Sequence, residues 1–374
     1  MALATRVLIV GGGIGGMSSA IALGRIGIKV DLIDIDPEWR VYGAGITITG
    51  PTLRAFKLLG IYQAVMEGAY VGNGIRVCSV AGDVLRELAT PIPVDIDVPG
   101  SGGIMRPLLH RILSAATRQS GASIRLGLSI ATLEQTTDRV DVTFTDGSRG
   151  TYDMVVGADG LFSRTRTLIF PEAPVPQYVG QYIWRVTVPR PPVIDRRHYF
   201  LGGPVKVGLN PVSRDQMYMF VLQSAPAKVK LDDSVLVGEL KRMLAPYGGP
   251  VAGVRDSLDD KSQIIARPLE AFLLPSPWFA GRVMLIGDAA HPTTPQLASG
   301  AGMAVEDALV LAAEMERAGS VPEVFQAMMA RRYERCRMVV VNSLEIGRRE
   351  REGAPPESQT ELVEQSLKVL AQPI

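Results

Sequence analysis

The stretch that most constrains this chain runs from Arg6 to Asp34. A short β-branched run, Arg6 to Val10, ends directly in Gly11-Gly12-Gly13-Ile14-Gly15-Gly16, and Met17 to Gly27 carries a helical pattern closed by glycine. A second strand pattern, Lys29 to Ile33, then closes on Asp34. Gly11, Gly13 and Gly16 satisfy GxGxxG. The first permits a tight turn, the second lets backbone approach a pyrophosphate, and the third allows the helix to pack closely on the strand. Asp34 follows the glycines by about twenty residues, where a ribose hydroxyl is held in such units. Asp31 and Asp36 compete for that role, but Asp31 falls mid-strand and Asp36 lies in a proline-containing turn. The unit reads as βαβ and directs the chain toward an α/β fold with a dinucleotide site.

Two later stretches repeat the theme of polar groups at a strand end. Met154 to Val156 runs into Gly157-Ala158-Asp159-Gly160-Leu161-Phe162-Ser163-Arg164-Thr165-Arg166. Val283 to Ile286 runs into Gly287-Asp288-Ala289-Ala290-His291, a loop carrying Pro295, and Gly300-Ala301-Gly302-Met303 opening an Ala-rich helical pattern. An acid at a strand end beside a helix N-terminus of small residues suits a ligand that carries negative charge.

Between these stretches the chain departs from simple strand and helix alternation. Trp39 to Thr47, with Arg40 and Tyr42, is a glycine-punctuated crossing, and Pro51 to Leu59 has the pattern of a short amphipathic helix. Residues 71–99 resemble strands with glycine turns. Arg106 stands at the start of a helix of about a dozen residues, where it would clamp a phosphate or ribose or simply be solvated. From Tyr178 to Pro268 the pattern is antiparallel strands, with a helix near Ser234 to Leu244. Alternation puts Gln181, Ile183, Arg185 and Thr187 on one face and Tyr178, Tyr182, Trp184 and Val186 on the other. Only one face can meet a ligand. Tyr218 shares a face with Phe220 and Leu222 and is a candidate to orient a ring, while Arg185 and Arg267 are candidates for a carboxylate. Val321 to Arg351 reads as a long helix with Arg331, Arg332, Arg335, Arg348 and Arg349 on its charged side, and Ser358 to Leu370 as a last helix.

Composition narrows the partners. With 374 residues and 47% hydrophobic side chains, the chain can bury two packed domains. Its 39 basic and 38 acidic side chains give no electrostatic case for nucleic acid or a membrane surface. Cys78 and Cys336 are too few and too far apart for a disulfide framework or a cysteine metal site, so no metal is expected. No leader pattern or membrane-length apolar run is evident, and a cytoplasmic protein, monomeric or homodimeric, is the expectation.

The ordered trio of GxGxxG, Ala158-Asp159-Gly160 with Ser163 and Arg166, and Gly287-Asp288 with Pro295 and Gly300 to Gly302 resembles the single-component FAD-dependent aromatic hydroxylases. These are the class A, para-hydroxybenzoate hydroxylase-like monooxygenases, and salicylate and hydroxynicotinate hydroxylases are close in style. The resemblance implies a Rossmann-like FAD-binding domain with an inserted antiparallel β-sheet substrate domain and C-terminal helices. The FAD-binding part would be 1–72, 100–177 and 269–340, the substrate part 73–99 and 178–268, and the helical tail 341–374. FAD pyrophosphate would lie at Gly11, Gly13, Ile14, Gly15 and Gly16 and its adenosine ribose at Asp34, with Arg40 and Arg106 flanking. Asp288 would bond the ribityl chain, Asp159 would lie in a region shared by FAD and nicotinamide, and Gly300, Ala301, Gly302 and Met303 would meet the flavin. The implied activity uses NADH or NADPH and dioxygen to hydroxylate a small aromatic or heteroaromatic substrate through a flavin hydroperoxide. Pro295 would supply a rigid edge at the flavin, with Arg185 and Tyr218 as the candidates on the substrate side. The family commonly carries Gly-Gln-Gly where this chain has Gly300-Ala301-Gly302. A reductase or epoxidase is the alternative, and a non-catalytic FAD-binding protein a more distant one. A halogenase is disfavoured because Trp184 stands alone.

Overall fold

In the computed structural model, residues 4–41 and 43–374 are described; Tyr42, part of the crossing segment, lies outside the described residues. The strand Arg6–Val10 sits inside a six-stranded sheet. Its neighbours are Lys29–Asp34 and Met154–Gly157, both parallel to it. Ser123–Leu126 extends one side in parallel, and Val283–Leu285 the other, followed by the antiparallel Phe279–Ala280. Val7, Leu8 and Ile9 are fully buried. A parallel sheet covered on both faces requires that, and it explains why the run is continuously apolar rather than alternating.

The parallel register brings the loops together. Gly11 donates its N–H to the Ile33 carbonyl (2.8 Å), Ala158 to Val10 (2.8 Å) and Ile286 to Gly157 (3.0 Å). The turns after the strands, carrying Gly11 to Gly16, Asp34, Asp159 and Asp288, therefore open along one edge, where α/β sheets bind ligands.

A seven-stranded sheet stands beyond that edge, in the order Ile265–Ala271, Gln177–Pro189, Gln216–Ser224, Lys206–Pro211, Arg197–Phe200, Ile75–Cys78 and Val84–Leu88. It is antiparallel except where Arg197–Phe200 meets Ile75–Cys78 in parallel. That junction is where the early hairpin joins strands that come more than a hundred residues later. The alternation on Gln177–Pro189 separates two environments. Tyr182, Trp184, Val186 and Val188 enter a core with the helices Leu236–Leu244 and Gly249–Ser257, and the opposite face presents Ile183 and Arg185 to a cavity.

Two expectations are corrected. The helix Gly50–Leu58 is buried from Gly50 through Phe56, with Arg54 fully enclosed, because it packs against the helix Gly300–Arg317. On the helix Val321–Arg351, Arg332 is also buried, and Arg335 nearly so. Both point inward because Glu306 and Asp307 on Gly300–Arg317 await them, a distinction that a stripe of arginines at helical spacing does not carry.

Candidate active site

The glycine loop is held by packing that leaves no room for side chains. A Cβ on Gly16 would stand 1.8 Å from the Gly11 carbonyl oxygen, and one on Gly11, whose φ is +103°, 2.4 Å from the Ala158 carbonyl oxygen. Gly13 is different: it is exposed, and a Cβ there would meet nothing within 4 Å. The loop is thus locked on its inner side and open on its outer side at the start of the helix Ile14–Arg25. Asp34 lies beside it, accepting the Gly12 N–H at 2.6 Å and the Asp36 N–H at 2.8 Å, while the Trp39 indole donates to the Gly12 carbonyl.

From this loop a cavity of about 530 Å³ runs to the seven-stranded sheet. It is lined by Gly13, Ile14 and Gly15, by Arg106 and Asp288, by Pro295, Gly300 and Ala301, and by Arg185, Tyr218 and Arg267 on the sheet. Among residues not singled out by sequence, His110, Thr47, Tyr199, Lys206, Thr294 and Gln296 also line it. His110 follows Arg106 by one helical turn, so the spacing held a signal for it. Gly300 and Ala301 open the helix Gly300–Arg317, whose first turn has no side-chain cap, leaving N–H groups for a ligand.

Several expected residues stand outside the cavity wall. The Asp159 carboxylate is held locally by the Ser163 hydroxyl and by the N–H and hydroxyl of Thr165. Arg40 pairs with Asp36 and Glu38. Gly302 packs on Thr52, and the carbonyl and sulfur of Met303 accept from Arg332, so both stand off the wall that Gly300, Ala301 and Ala304 of the same helix line.

Two of the charges on the wall are bare. Among the described residues, Arg106 and Arg185 have no side-chain hydrogen bond and no ion-pair partner. Burial lowers the Arg106 pKa, with Tyr218 and Asp288 pulling the other way. Burial pushes Arg185 down to about 10, and the nearby Arg106 charge adds to it. Desolvated guanidinium groups without counter-ions are costly, so this wall is built for an anionic or acceptor-bearing ligand. Asp288 is open to the cavity yet enclosed by protein on its other sides. That enclosure raises its carboxyl pKa, against the pull of His291 and Arg106.

Behind Asp288 lies a buried ion cluster. Asp307 accepts the Gly287 N–H (3.0 Å), the Arg332 Nε–H (2.8 Å) and a hydrogen bond with His291 Nε2 (2.7 Å). Glu306 accepts from Arg332 (2.7 Å), Arg335 (2.8 Å) and Arg54 (3.2 Å). The cluster fixes the turn that projects Asp288. Burial works against the His291 cation, but Cys336 and Asp307 outweigh it and hold its pKa well above the ordinary value. Such a group adds stability in full below its unfolded pKa of about 6.5 and loses it as pH rises through the folded value. The stability gap between wild type and His291→Gln is therefore expected to shrink above about pH 6.5 in urea titrations; a gap that stays constant with pH would refute the charged pairing.

The FAD binding domain family model matches residues 4–340. The chain belongs to the FAD binding domain family. This FAD binding domain protein is 31% identical over 309 residues to the 2-heptyl-3-hydroxy-4(1H)-quinolone synthase of Pseudomonas aeruginosa, covering 82% of this chain and 79% of the relative. It is 29% identical over 355 residues to the FAD-dependent urate hydroxylase of Klebsiella pneumoniae, covering 90% and 88%. A crystal structure of a Klebsiella pneumoniae HpxO variant complexed with FAD superposes with a TM-score of 0.86 at 25% identity, covering 98% of this chain and 96% of that one. The protein is an FAD-dependent oxidoreductase of the monooxygenase type, with an α/β fold built on a Rossmann-like FAD domain. Its own residues fit that cofactor. The space at Gly13 is open, and His110 Nε2 and Thr294 Oγ1 on the cavity wall are buried without a partner among the described residues. Among the described residues no helix is long and apolar enough to cross a membrane.

Proposed function

We propose that the protein hydroxylates a small aromatic or heteroaromatic ring, with NADH or NADPH as reductant and dioxygen as oxidant. The observation that carries this reading is the continuity of one cavity, from the open backbone at Gly13, past Asp288, to the unpaired Arg185 and the Tyr218 hydroxyl on the sheet. Relatives named for urate and quinolone chemistry support it. Bound FAD supplies the redox and oxygen chemistry, and the chain supplies position, charge and exclusion of water.

Gly11, Gly13, Ile14, Gly15 and Gly16 would hold the pyrophosphate, and Asp34 the ribose. Arg106, Asp288, Gly300 and Ala301 would line the remainder of the cofactor, with free N–H groups and a cation favouring negative charge on it. Asp159 and Arg40 would act through the loops they brace, and Gly302 and Met303 through the helix Gly300–Arg317. Pro295 would form the rigid edge between cofactor and substrate, where Ala298 holds a left-handed backbone conformation at φ 50°. Arg185 and Tyr218 would orient the ring. The domain boundaries proposed are 1–72, 100–177 and 269–340 for the cofactor part, 73–99 and 178–268 for the substrate part, and 341–374 for the tail.

The test follows oxidation of NADH and NADPH by the FAD-loaded protein across phenolic, benzoic, pyridine and purine compounds, with hydrogen peroxide recorded in parallel. Stimulation by a ring compound with hydroxylated product and little peroxide is expected. Stoichiometric peroxide with every compound would refute the hydroxylase reading. Arg185→Met is expected to lower kcat/KM for that compound about tenfold to a hundredfold, the worth of a hydrogen bond to a charged group. Arg185→Lys should rescue it poorly, because an ammonium lacks the planar fork. Full activity in Arg185→Met would remove Arg185 from the site.

A further inference from the structure

Three side chains at the cavity wall, two lining it and one behind them, form a closed triangle. Thr47 Oγ1 lies 2.7 Å from the Tyr218 hydroxyl, and the Asn210 side-chain nitrogen lies 2.9 Å from each. All three residues are more than nine-tenths buried. Thr47 comes from the strand Gly45–Thr49 and the other two from the seven-stranded sheet. Thr47 and Tyr218 line the cavity, whereas Asn210 stands behind them with its Oδ1 unpartnered.

Counting protons fixes the polarity of this triangle. An amide oxygen facing the hydroxyls would put three oxygens within 2.9 Å of one another with only two hydroxyl protons between them, so one pair would meet lone pair to lone pair. Nitrogen in that place removes the conflict. With the amide N–H donating to both oxygens, one hydroxyl donates to the other, and the second keeps its proton. Among the described residues neither hydroxyl has another hydrogen-bond partner. The spare proton can be used only in the cavity, whichever hydroxyl carries it.

We propose that Asn210 is a positioning residue that makes the Thr47–Tyr218 pair a hydrogen-bond donor toward the substrate. Together with the unpaired Arg185 guanidinium, it selects rings that present an exocyclic oxygen acceptor, such as a ring carbonyl, enolate or phenolate. A ring lacking that oxygen leaves the hydroxyl and guanidinium unsatisfied. The proposal rests on the reading of this cavity as a ring-binding site.

The test uses FAD-loaded wild type, Asn210→Asp and Asn210→Leu, titrated with 4-quinolone and with quinoline by FAD fluorescence. Wild type is expected to prefer 4-quinolone by about tenfold or more, the worth of one such hydrogen bond. In Asn210→Asp the carboxylate draws both hydroxyl protons to itself, so the preference is lost at high pH and returns as the carboxyl protonates. Asn210→Leu keeps the spare proton without fixing its direction, so its loss is smaller and independent of pH. A purely structural role would give the opposite ranking, with the isosteric Asp the milder change. Equal binding of the two rings by wild type, binding of neither, the reverse ranking of the variants, or a fall in FAD content that matches the fall in ring binding would each overturn the proposal. Product formation by wild type without the Asp and Leu ranking defeats this inference alone. The ranking with peroxide as the only product defeats the hydroxylase reading alone.

Discussion

Arg332→Met is expected to cost about 3–5 kcal/mol of stability, the range for breaking a buried ion pair from one side. Arg332 is buried between Glu306 and Asp307, donating to both, and also donates to the Met303 carbonyl. Methionine fills similar volume but, among the described residues, leaves Asp307 with His291 as its one remaining charged partner. Glu306 retains Arg54 and Arg335, so the damage centres on Asp307 and on the Gly287 N–H it accepts. Two readouts follow. Urea titration of the FAD-loaded protein should show the midpoint falling at unchanged slope. FAD affinity of the folded fraction should fall as well, because the Asp288 turn loses its brace. A loss below about 1 kcal/mol would mean that the cluster relaxes or admits water, and that the carboxylates are not held as described.

Gly16→Ala and Gly13→Ala form the second test, and their contrast carries the information. Gly16→Ala is expected to abolish FAD loading, since its Cβ would overlap the Gly11 carbonyl oxygen at 1.8 Å and backbone has no flexible end to move aside. The helix would have to lift off the strand, and the loop with it. Gly13 has φ −76°, which alanine adopts freely, and open space around it. Gly13→Ala should therefore leave the urea midpoint of the FAD-free protein unchanged, or raise it slightly. Its FAD affinity should nevertheless drop at least about tenfold, because the space is where backbone and pyrophosphate must approach. Wild-type FAD affinity in Gly13→Ala would place the cofactor elsewhere.

The features legible in the sequence were those whose physics is local. The spacing of Gly11, Gly13 and Gly16 reports a turn and a close helix contact within one βαβ unit, and Asp34 and Asp288 stand at strand ends that an apolar run already defines. Alternation on Gln177–Pro189 correctly separated Ile183 and Arg185 from Tyr182 and Trp184. His110 was not singled out, although its place one turn from Arg106 put it on the same face of the helix Arg106–Gln119. Asn210 faces Tyr218 across a hairpin eight positions on, which strand pairing makes legible, but its other partner Thr47 is 163 positions away, and that contact carried no local signal. Nor did Arg54, whose carboxylate partner Glu306 is 252 positions away.

By itself the sequence determined the α/β class, the glycine turn of the first βαβ unit and the sheet edge along which the strand-end loops gather, because strand period, helix period and glycine geometry act over a few residues. Only the tertiary structure decided which arginines are bare and which are paired. Arg185 and Arg106 face a cavity and, among the described residues, make no ion pair, while Arg332, one of a stripe of arginines on its helix, lies against two buried carboxylates. The reason is that a charge's role depends on its dielectric surroundings and on the charges brought beside it. In this chain those neighbours come from elements far apart in sequence.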